Sequence, residues 1–137
     1  MASSIPRRGR KAVTDALAAK SLKVALFVDI TNYDPLTATT YAALKAGGAT
    51  EVSHASYTTG GYALVGMAST NLATNGAILT ANPTSVATAT FTCRYGVIYD
   101  ATSGNIEGIS DFGQSYTVTN GTITVTWNVT TGIINVQ

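Results

Sequence analysis

The most regular alternation of apolar and polar residues lies near the C-terminus, in the segment SYTVTNGTITVTWN at positions 115–128. Aliphatic or aromatic residues alternate there with threonine on both sides of Asn120-Gly121. An alternation of period two predicts strands with one buried face, and Asn-Gly between two such runs predicts a type I′ turn. The segment therefore predicts a β-hairpin with apolar side chains inward and hydroxyls outward. Its cross-strand pairs would be Val118 with Ile123, Tyr116 with Val125, and Thr117 with Thr124.

Two earlier segments also have the pattern of strands, and a further strand is predicted at positions 133–137. The run LKVALFVD at positions 22–29 is almost continuously apolar, which is typical of a strand that is covered on both faces. The run ATFTCRYGVIYD at positions 89–100 alternates instead, so it predicts a strand with one apolar face. The residues on that face are Phe91, Cys93, Tyr95, Val97 and Tyr99.

Helical patterns are short and lie in the N-terminal third of the chain. Good helix formers from Lys11 onward, in KAVTDALAAKS, predict a short helix, and positions 1–10 are expected to form an extended arm. The segment TTYAALKAGG predicts one or two helical turns that end at Gly47-Gly48.

These elements together predict a mainly β protein. We expect a single antiparallel β-sandwich-like domain with a basic N-terminal arm and short helix, the arm and helix covering positions 1–20 and the body positions 21–137. The predicted core contains Leu26, Val97, Ile98, Tyr116, Val118, Ile123, Val125 and Trp127.

Charge is scarce and unevenly placed. Charged residues make up 11% of the chain, against about 25% in ordinary domains, and positions 112–137 contain none. The first 23 positions hold six of the eight basic residues and one carboxylate, which gives +5; the remainder gives −4 and the total is +1. The chain is thus a basic arm on a mildly acidic body. An uncharged, hydroxyl-rich exterior indicates a surface that other protein covers, since buried hydroxyls cost far less than buried charges.

The residues offer little for catalysis or metal binding. One histidine, His54, and one cysteine, Cys93, cannot build a zinc site or an intramolecular disulfide. Asp100, Glu107 and Asp111 are too sparse for a calcium-binding motif, and we interpret them as solvated carboxylates. No nucleophile elbow or phosphate-binding glycine motif is present. We therefore expect no enzyme, no catalytic residue, no cofactor and no metal site.

Four segments, taken in order, resemble a family of small virion structural proteins of tailed bacteriophages. They are LKVALFVDITNYDP, EVSHASYTTGGYAL, CRYGVIYDATSG and GISDFGQSYTVTNGTITVTWNVTTGIINV, and they span most of positions 22–136. The resemblance implies a non-enzymatic β-sandwich-like component of the phage particle, either a capsid decoration or cement protein or a head–tail component. The chain departs from the family in its basic arm, which replaces a hydrophobic helix, and in Asn128, which replaces an aspartate.

The expected function is therefore that of a capsid decoration or cement protein that binds and stabilises the major capsid shell. The basic residues Arg7, Arg8, Arg10 and Lys11 are the expected partner-binding residues and would contact an acidic shell surface; binding to the phosphates of nucleic acid is the weaker interpretation. The expected partners are the major capsid protein and copies of the chain itself, with a trimer as one arrangement; nucleic acid is the less favoured partner, and no membrane is expected. We expect synthesis in the bacterial host cytoplasm and a final location on the virion capsid surface. The alternatives are a tail, baseplate or fibre component, or a β module that binds carbohydrate or a host surface.

Overall fold

The computed structural model describes residues 7–30, 33–71, 76–127 and 134–136, with the backbone alone for residues 7, 8 and 134–136. The described part contains two helices and eight strands. In chain order these are α1 (Arg7–Ala18), β1 (Leu22–Asp29), α2 (Tyr41–Ala46), β2 (Thr50–Glu51), β3 (Tyr62–Ala63), β4 (Ala68–Asn71), β5 (Ala77–Thr80), β6 (Thr84–Asp100), β7 (Ile106–Val125) and β8 (Ile134–Val136).

The strands form two antiparallel sheets. The larger sheet has the order β2-β1-β6-β7, and β3 also pairs with β1; the smaller sheet has the order β4-β5-β8. The prediction of a mainly β, antiparallel domain with a short helix is confirmed. Neither described helix is long and apolar enough to cross a membrane.

Apolar side chains fill both sides of the larger sheet. On one side, Val24 and Leu26 of β1 belong to a core cluster that also contains Leu79 of the smaller sheet; we call this cluster the inter-sheet core. On the other side, Ala25 and Phe27 pack with residues of α2 in a second, smaller cluster. The prediction that the strand at positions 22–29 is covered on both faces is therefore confirmed.

The predicted hairpin at Asn120-Gly121 is wrong. Strand β7 runs without reversal through these two residues and pairs along its length with β6. Ile123 of β7 pairs with Val86 of β6, and Val118 of β7 pairs with Phe91 of β6. Asn120 has a positive φ of 50°, and it lies where the register between β6 and β7 shifts. Thr88, on β6 in the same region, also has a positive φ, of 52°. Such bulges absorb a left-handed residue without ending a strand. The reversal occurs instead at positions 101–105, between β6 and β7.

A second register shift changes the face of β6. Phe91 and Cys93 belong to the inter-sheet core, whereas Tyr95, Val97 and Tyr99 pack in the cluster beside α2. The register shifts between Cys93 and Tyr95, so the prediction that all five residues share one face is wrong. At this shift β6 advances by two residues and β7 by five, so the ladder is interrupted and the regular alternation of the two faces is not kept across it.

Helix α1 begins at Arg7 rather than at the predicted Lys11, so part of the expected extended arm is helical. The helix packs against β4 and β5, and Leu17 lies in the inter-sheet core. Its Thr14 is fully buried, and the Thr14 and Ser69 hydroxyl oxygens are 2.6 Å apart. This packing extends the helix beyond what propensity alone predicts. Positions 1–6 of the arm lie outside the described residues.

Helix α2 confirms the prediction of one or two turns before Gly47-Gly48. Thr40 caps its start, because the Thr40 hydroxyl accepts a hydrogen bond from the Ala43 N–H at 3.1 Å.

Candidate interaction surface

The distal half of the β6–β7 pair extends beyond the rest of the larger sheet. Strand β1 pairs only with positions 95–100 of β6, so positions 84–93 of β6 and 116–125 of β7 form a two-stranded ribbon. We call this part the ribbon. Its inner side contributes Val86, Phe91 and Val125 to the inter-sheet core, and its outer side faces away from that core.

The outer side of the ribbon carries rows of hydroxyl groups. The hydroxyl oxygens of Ser85 and Thr124 are 2.9 Å apart, and those of Thr92 and Thr117 are 2.8 Å apart. The Thr90 hydroxyl accepts a hydrogen bond from the Asn120 N–H at 2.9 Å. We call the set Ser85, Thr90, Thr92, Thr117 and Thr124 the hydroxyl face. These residues are exposed or half-buried, so the prediction that hydroxyls point outward is confirmed although the hairpin is wrong.

The ribbon has no charged residue, because positions 84–93 and 112–127 contain none. The nearest charges along the strands are Arg94 and Asp111, whose side chains form two hydrogen bonds of 3.1 Å. Hydrogen bonding to Arg94 lowers the pKa of Asp111, and the carboxylate in turn raises the pKa of Arg94. This exposed pair marks the end of the uncharged surface.

Tyr116 is not a core residue. It pairs with Cys93 and so lies on the inner side of the ribbon, as predicted, but it is 44% exposed because nothing described covers it at the outer edge of β7. Of the other predicted core residues, Val118 and Ile123 are partly buried against the inter-sheet core. The buried ones are Leu26, Val97, Ile98, Val125 and Trp127.

A groove of about 480 Å³ lies beside Tyr116. Its lining is formed by Ser110, Asp111, Phe112, Tyr116, Ile123, Thr124, Val125, Thr126 and Trp127. The indole of Trp127 is buried, and its Nε1 atom has no hydrogen-bond partner among the described residues. Apolar surface and an unused donor therefore lie next to the uncharged edge strand.

The structure places all four predicted partner-binding residues on α1. Arg7, Arg8, Arg10 and Lys11 occupy its first turns, and the side chains of Arg7 and Arg8 lie outside the described residues. The Lys11 ammonium donates to the Asp15 carboxylate at 2.7 Å, and this hydrogen bond lowers the pKa of Asp15.

The basic residues of α1 lie near its N-terminus, the end at which the helix dipole is positive. The helix has no acidic residue in its first turn and no basic residue in its last turn. Cations are unfavourable near a helix N-terminus, where the macrodipole is already positive. The basic residues of α1 therefore occupy the end of the helix where the dipole disfavours positive charge.

The basic turns and the hydroxyl face lie on different sides of the body. Helix α1 packs on the smaller sheet and contributes Leu17 to the inter-sheet core. The hydroxyl face lies on the opposite side of the ribbon from that core. The structure therefore does not join the two predicted surfaces into one patch.

A buried carboxylate that the sequence did not reveal lies in β2, on the other side of Tyr57 from Phe91 of the ribbon. The Glu51 side chain is 3% exposed and accepts hydrogen bonds from four groups. These are the Tyr41 hydroxyl at 2.5 Å, the Lys45 ammonium at 2.8 Å, the Tyr57 hydroxyl at 2.9 Å and the Gly60 N–H at 2.7 Å. Because a carboxylate has about four acceptor positions, Glu51 has none left for a substrate or metal, and its role is to fasten α2 and the following loop to the sheet.

Burial raises the pKa of Glu51, but the hydrogen bonds to its carboxylate, led by that from Lys45, outweigh burial and leave the pKa below its usual value. Burial is also the main reason that the pKa values of Tyr57 and Tyr41 are raised. No charged group in this cluster was a candidate in the sequence, because its members come from separate segments with no common motif.

The remaining polar candidates are engaged separately. His54 Nδ1 accepts the Ser56 N–H at 3.1 Å and lies 2.8 Å from the Ser56 hydroxyl, so it belongs to a local turn. Asp100 accepts hydrogen bonds from the turn that follows it, and Glu107 pairs with Lys20. Within the described residues, no group of three potential ligands is arranged to hold a metal ion.

Searches for related proteins found no match. No protein-family model, no curated protein and no solved structure is significantly similar to the chain.

Proposed function

We propose that the protein is a structural component of a bacteriophage particle, a capsid decoration or cement protein that binds and stabilises the major capsid shell. The observation that supports this most directly is the hydroxyl face, an exposed two-stranded surface without a charged residue. Ordinary soluble surfaces intersperse charges, which favour solubility and oppose association. A ribbon that lacks them is suited to being covered by protein.

Desolvation explains why hydroxyls suit such an interface. Covering a charged side chain costs several kcal/mol unless a partner charge is placed well, whereas an exposed hydroxyl costs about 1–3 kcal/mol and recovers much of it in one hydrogen bond. On the hydroxyl face, Ser85 and Thr92 already have hydroxyl partners on β7. Part of the hydrogen-bonding capacity is therefore satisfied before the shell protein binds.

The position of the basic turns supports bridging as the mechanism of stabilisation. The hydroxyl face and the first turns of α1 lie on different sides of the body, so one copy presents two distinct contact surfaces. An uncharged contact with one shell subunit and an electrostatic contact with its neighbour would hold the two subunits together. Repetition over many copies adds avidity without requiring a tight single contact.

Binding to isolated capsid shells tests the proposal. The variant Ser85→Lys/Thr92→Lys places two charges on the hydroxyl face, and we expect it to bind shells at least tenfold more weakly than the unchanged chain, which corresponds to about 1.4 kcal/mol. The matched control is Thr58→Lys/Thr59→Lys, which adds the same charges to an exposed loop. Equal binding by both variants would contradict the proposal, and binding to isolated tails but not to shells would favour the tail interpretation.

A further inference from the structure

The outer edge of β7 has no strand beside it in the described part of the chain, because β7 is the last strand of the larger sheet. The free N–H and C=O groups of such an edge pair readily with another strand, and proteins commonly block them with lysine, proline, a β-bulge or a covering element. Positions 112–125 of β7 contain no lysine, no proline and no charge. The register shifts beside Asn120 and between Asp111 and Tyr116 interrupt the strand locally, and the segments on either side of Asn120 remain available for strand addition.

The sequence of β7 is symmetric about Asn120-Gly121. Reading outward from this pair, threonine and an apolar residue alternate in both directions, which is why the sequence predicts a hairpin there. The chain does not form that hairpin, since both halves of the segment pair with β6. The symmetry is thus unused within one molecule.

Two copies of β7 can use the same symmetry. If two β7 strands run antiparallel about a two-fold axis between Asn120 and Gly121, every residue meets the partner that the hairpin would have given it. The resulting cross-strand pairs are Val118 with Ile123, Tyr116 with Val125, and Thr117 with Thr124, each between one copy and the other.

The faces of the folded strand agree with this register. Val118 and Ile123 pack toward the inter-sheet core, whereas Thr117 and Thr124 lie on the hydroxyl face. Apolar residues would therefore meet apolar residues, and hydroxyls would meet hydroxyls, across the two-fold axis. No like charges face each other, because the paired stretch is uncharged. Serine and threonine already pair in this way between β6 and β7.

The exposure of Tyr116 is an independent observation that favours a second chain at the outer edge of β7. It lies on the core side of β7 but remains 44% exposed at the outer edge. In the two-fold register it stands opposite Val125 of the second copy, next to the groove that Phe112 and Trp127 line. An aromatic side chain opposite an aliphatic one is a favourable cross-strand pair.

We propose that two copies of the chain pair antiparallel through the outer edges of β7, about a two-fold axis between Asn120 and Gly121, and so join their larger sheets into one. The second copy is the occupant because its edge carries the same symmetric, uncharged sequence. This pairing goes beyond the shell-binding proposal and does not depend on it.

Sedimentation equilibrium of the full chain tests the pairing. We expect a dimer for the unchanged chain, and a dissociation constant about tenfold higher or more for Thr117→Lys/Thr124→Lys, in which two pairs of like charges face each other. Mixing this variant with Thr117→Glu/Thr124→Glu should restore a dimer that contains one copy of each. A monomer at every concentration, or a dimer that the double lysine variant leaves unchanged, would overturn the proposal.

The matched control separates the edge from the hydroxyl face. Ser85→Lys/Thr92→Lys removes the same two hydroxyl pairs and adds the same charges, but on β6, the strand of the ribbon that does not carry the proposed pairing edge. This variant should keep most of its dimer although we expect it to lose shell binding. Equal loss of dimer in both variants would contradict pairing at the edge, whereas a dimer that fails to bind shells would contradict only the proposed function.

Disulfide trapping provides a second test that does not require the charged variants to fold. Thr119 of one copy lies opposite Thr122 of the other, so Thr119→Cys/Thr122→Cys should oxidise to a covalent dimer. Thr119→Cys alone is the control and should stay monomeric on denaturing gels. The native Cys93 is buried and should not interfere. A disulfide within one chain, or no covalent dimer, would refute the register.

Discussion

The carboxylate of Glu51 shows how much of the residue-scale chemistry depends on the fold. Its hydrogen-bond donors come from two segments, α2 and the loop before β3, so no local sequence pattern brings them together. The hydroxyl pairs of the ribbon were easier to predict, because alternation alone decides which side of a strand faces water. Sequence thus revealed the exposed polar residues and missed the buried one.

Replacing Glu51 should destabilise the protein because several donors lose their acceptor in a buried site. We expect Glu51→Gln to lower the free energy of unfolding by about 2 kcal/mol, measured by urea denaturation. Asp15→Asn is the control: Asp15 is exposed and pairs with Lys11, so the change in stability should be small. An effect of Glu51→Gln no larger than that of Asp15→Asn would show that the cluster does not fasten α2.

The contribution of Glu51 should depend on pH. Its pKa in the folded protein is lower than the usual 4.5, so the unfolded chain takes up the proton first and acid favours unfolding. The stabilising contribution is present above about pH 4.5 and is lost as the pH falls through the folded pKa. Urea denaturation at several pH values should show the difference between the unchanged chain and Glu51→Gln shrinking below pH 4.5; a constant difference would contradict this account.

The elements themselves were predicted better than their partners. The run at positions 22–29 identified a strand buried on both faces, and Gly47-Gly48 marked the end of α2. Alternation along β7 fixed which residues face the core, yet it could not decide whether the second half pairs with the first half or with β6. Period two determines the face of a strand and leaves its neighbour open. Because β6 is long enough to pair with both halves of β7, those halves pair with β6 and not with each other.

The conformation at Asn120 can be tested against the hairpin by substitution. A type I′ turn needs positive φ at both Asn120 and Gly121, whereas in the structure only Asn120 has one. Asn120→Ala should therefore cost about 1 kcal/mol of stability. Gly121→Ala should cost less, because Gly121 has no positive φ and the tight contact of its new methyl group with the Val118 side chain at 3.1 Å needs a shift of only a few tenths of an ångström. Thermal denaturation measures both, and an equal or larger loss for Gly121→Ala would favour the hairpin.

At the scale of the whole molecule, charge is separated from the surface that we propose to be covered. The basic turns of α1 and the uncharged ribbon lie on different sides of the inter-sheet core, and the outer edge of β7 is one edge of the ribbon. Composition already indicated this separation along the chain. The positions of the basic turns and the ribbon on different sides of the molecule could not be predicted, because no sequence pattern indicates that α1 packs on the smaller sheet.

The electrostatic contact should respond to salt in a way that the hydroxyl contact does not. Salt screens interactions between exposed charges, with a Debye length of about 10 Å at 0.1 M. Shell binding by the unchanged chain should therefore weaken as salt rises, and Arg7→Gln/Arg8→Gln should bind more weakly at low salt with a flatter dependence. Binding that is independent of salt in both proteins would show that the basic turns make no contact with the shell.

The central claim is that neighbouring protein covers the hydroxyl face in an assembled particle. Electron cryomicroscopy of intact phage particles that were assembled in the presence of the chain measures this directly. We predict density for the chain on the capsid exterior, with Thr92, Thr117 and Thr124 in contact with the major capsid protein. Particles in which these side chains face solvent in every copy, or which lack the chain altogether, would contradict the claim.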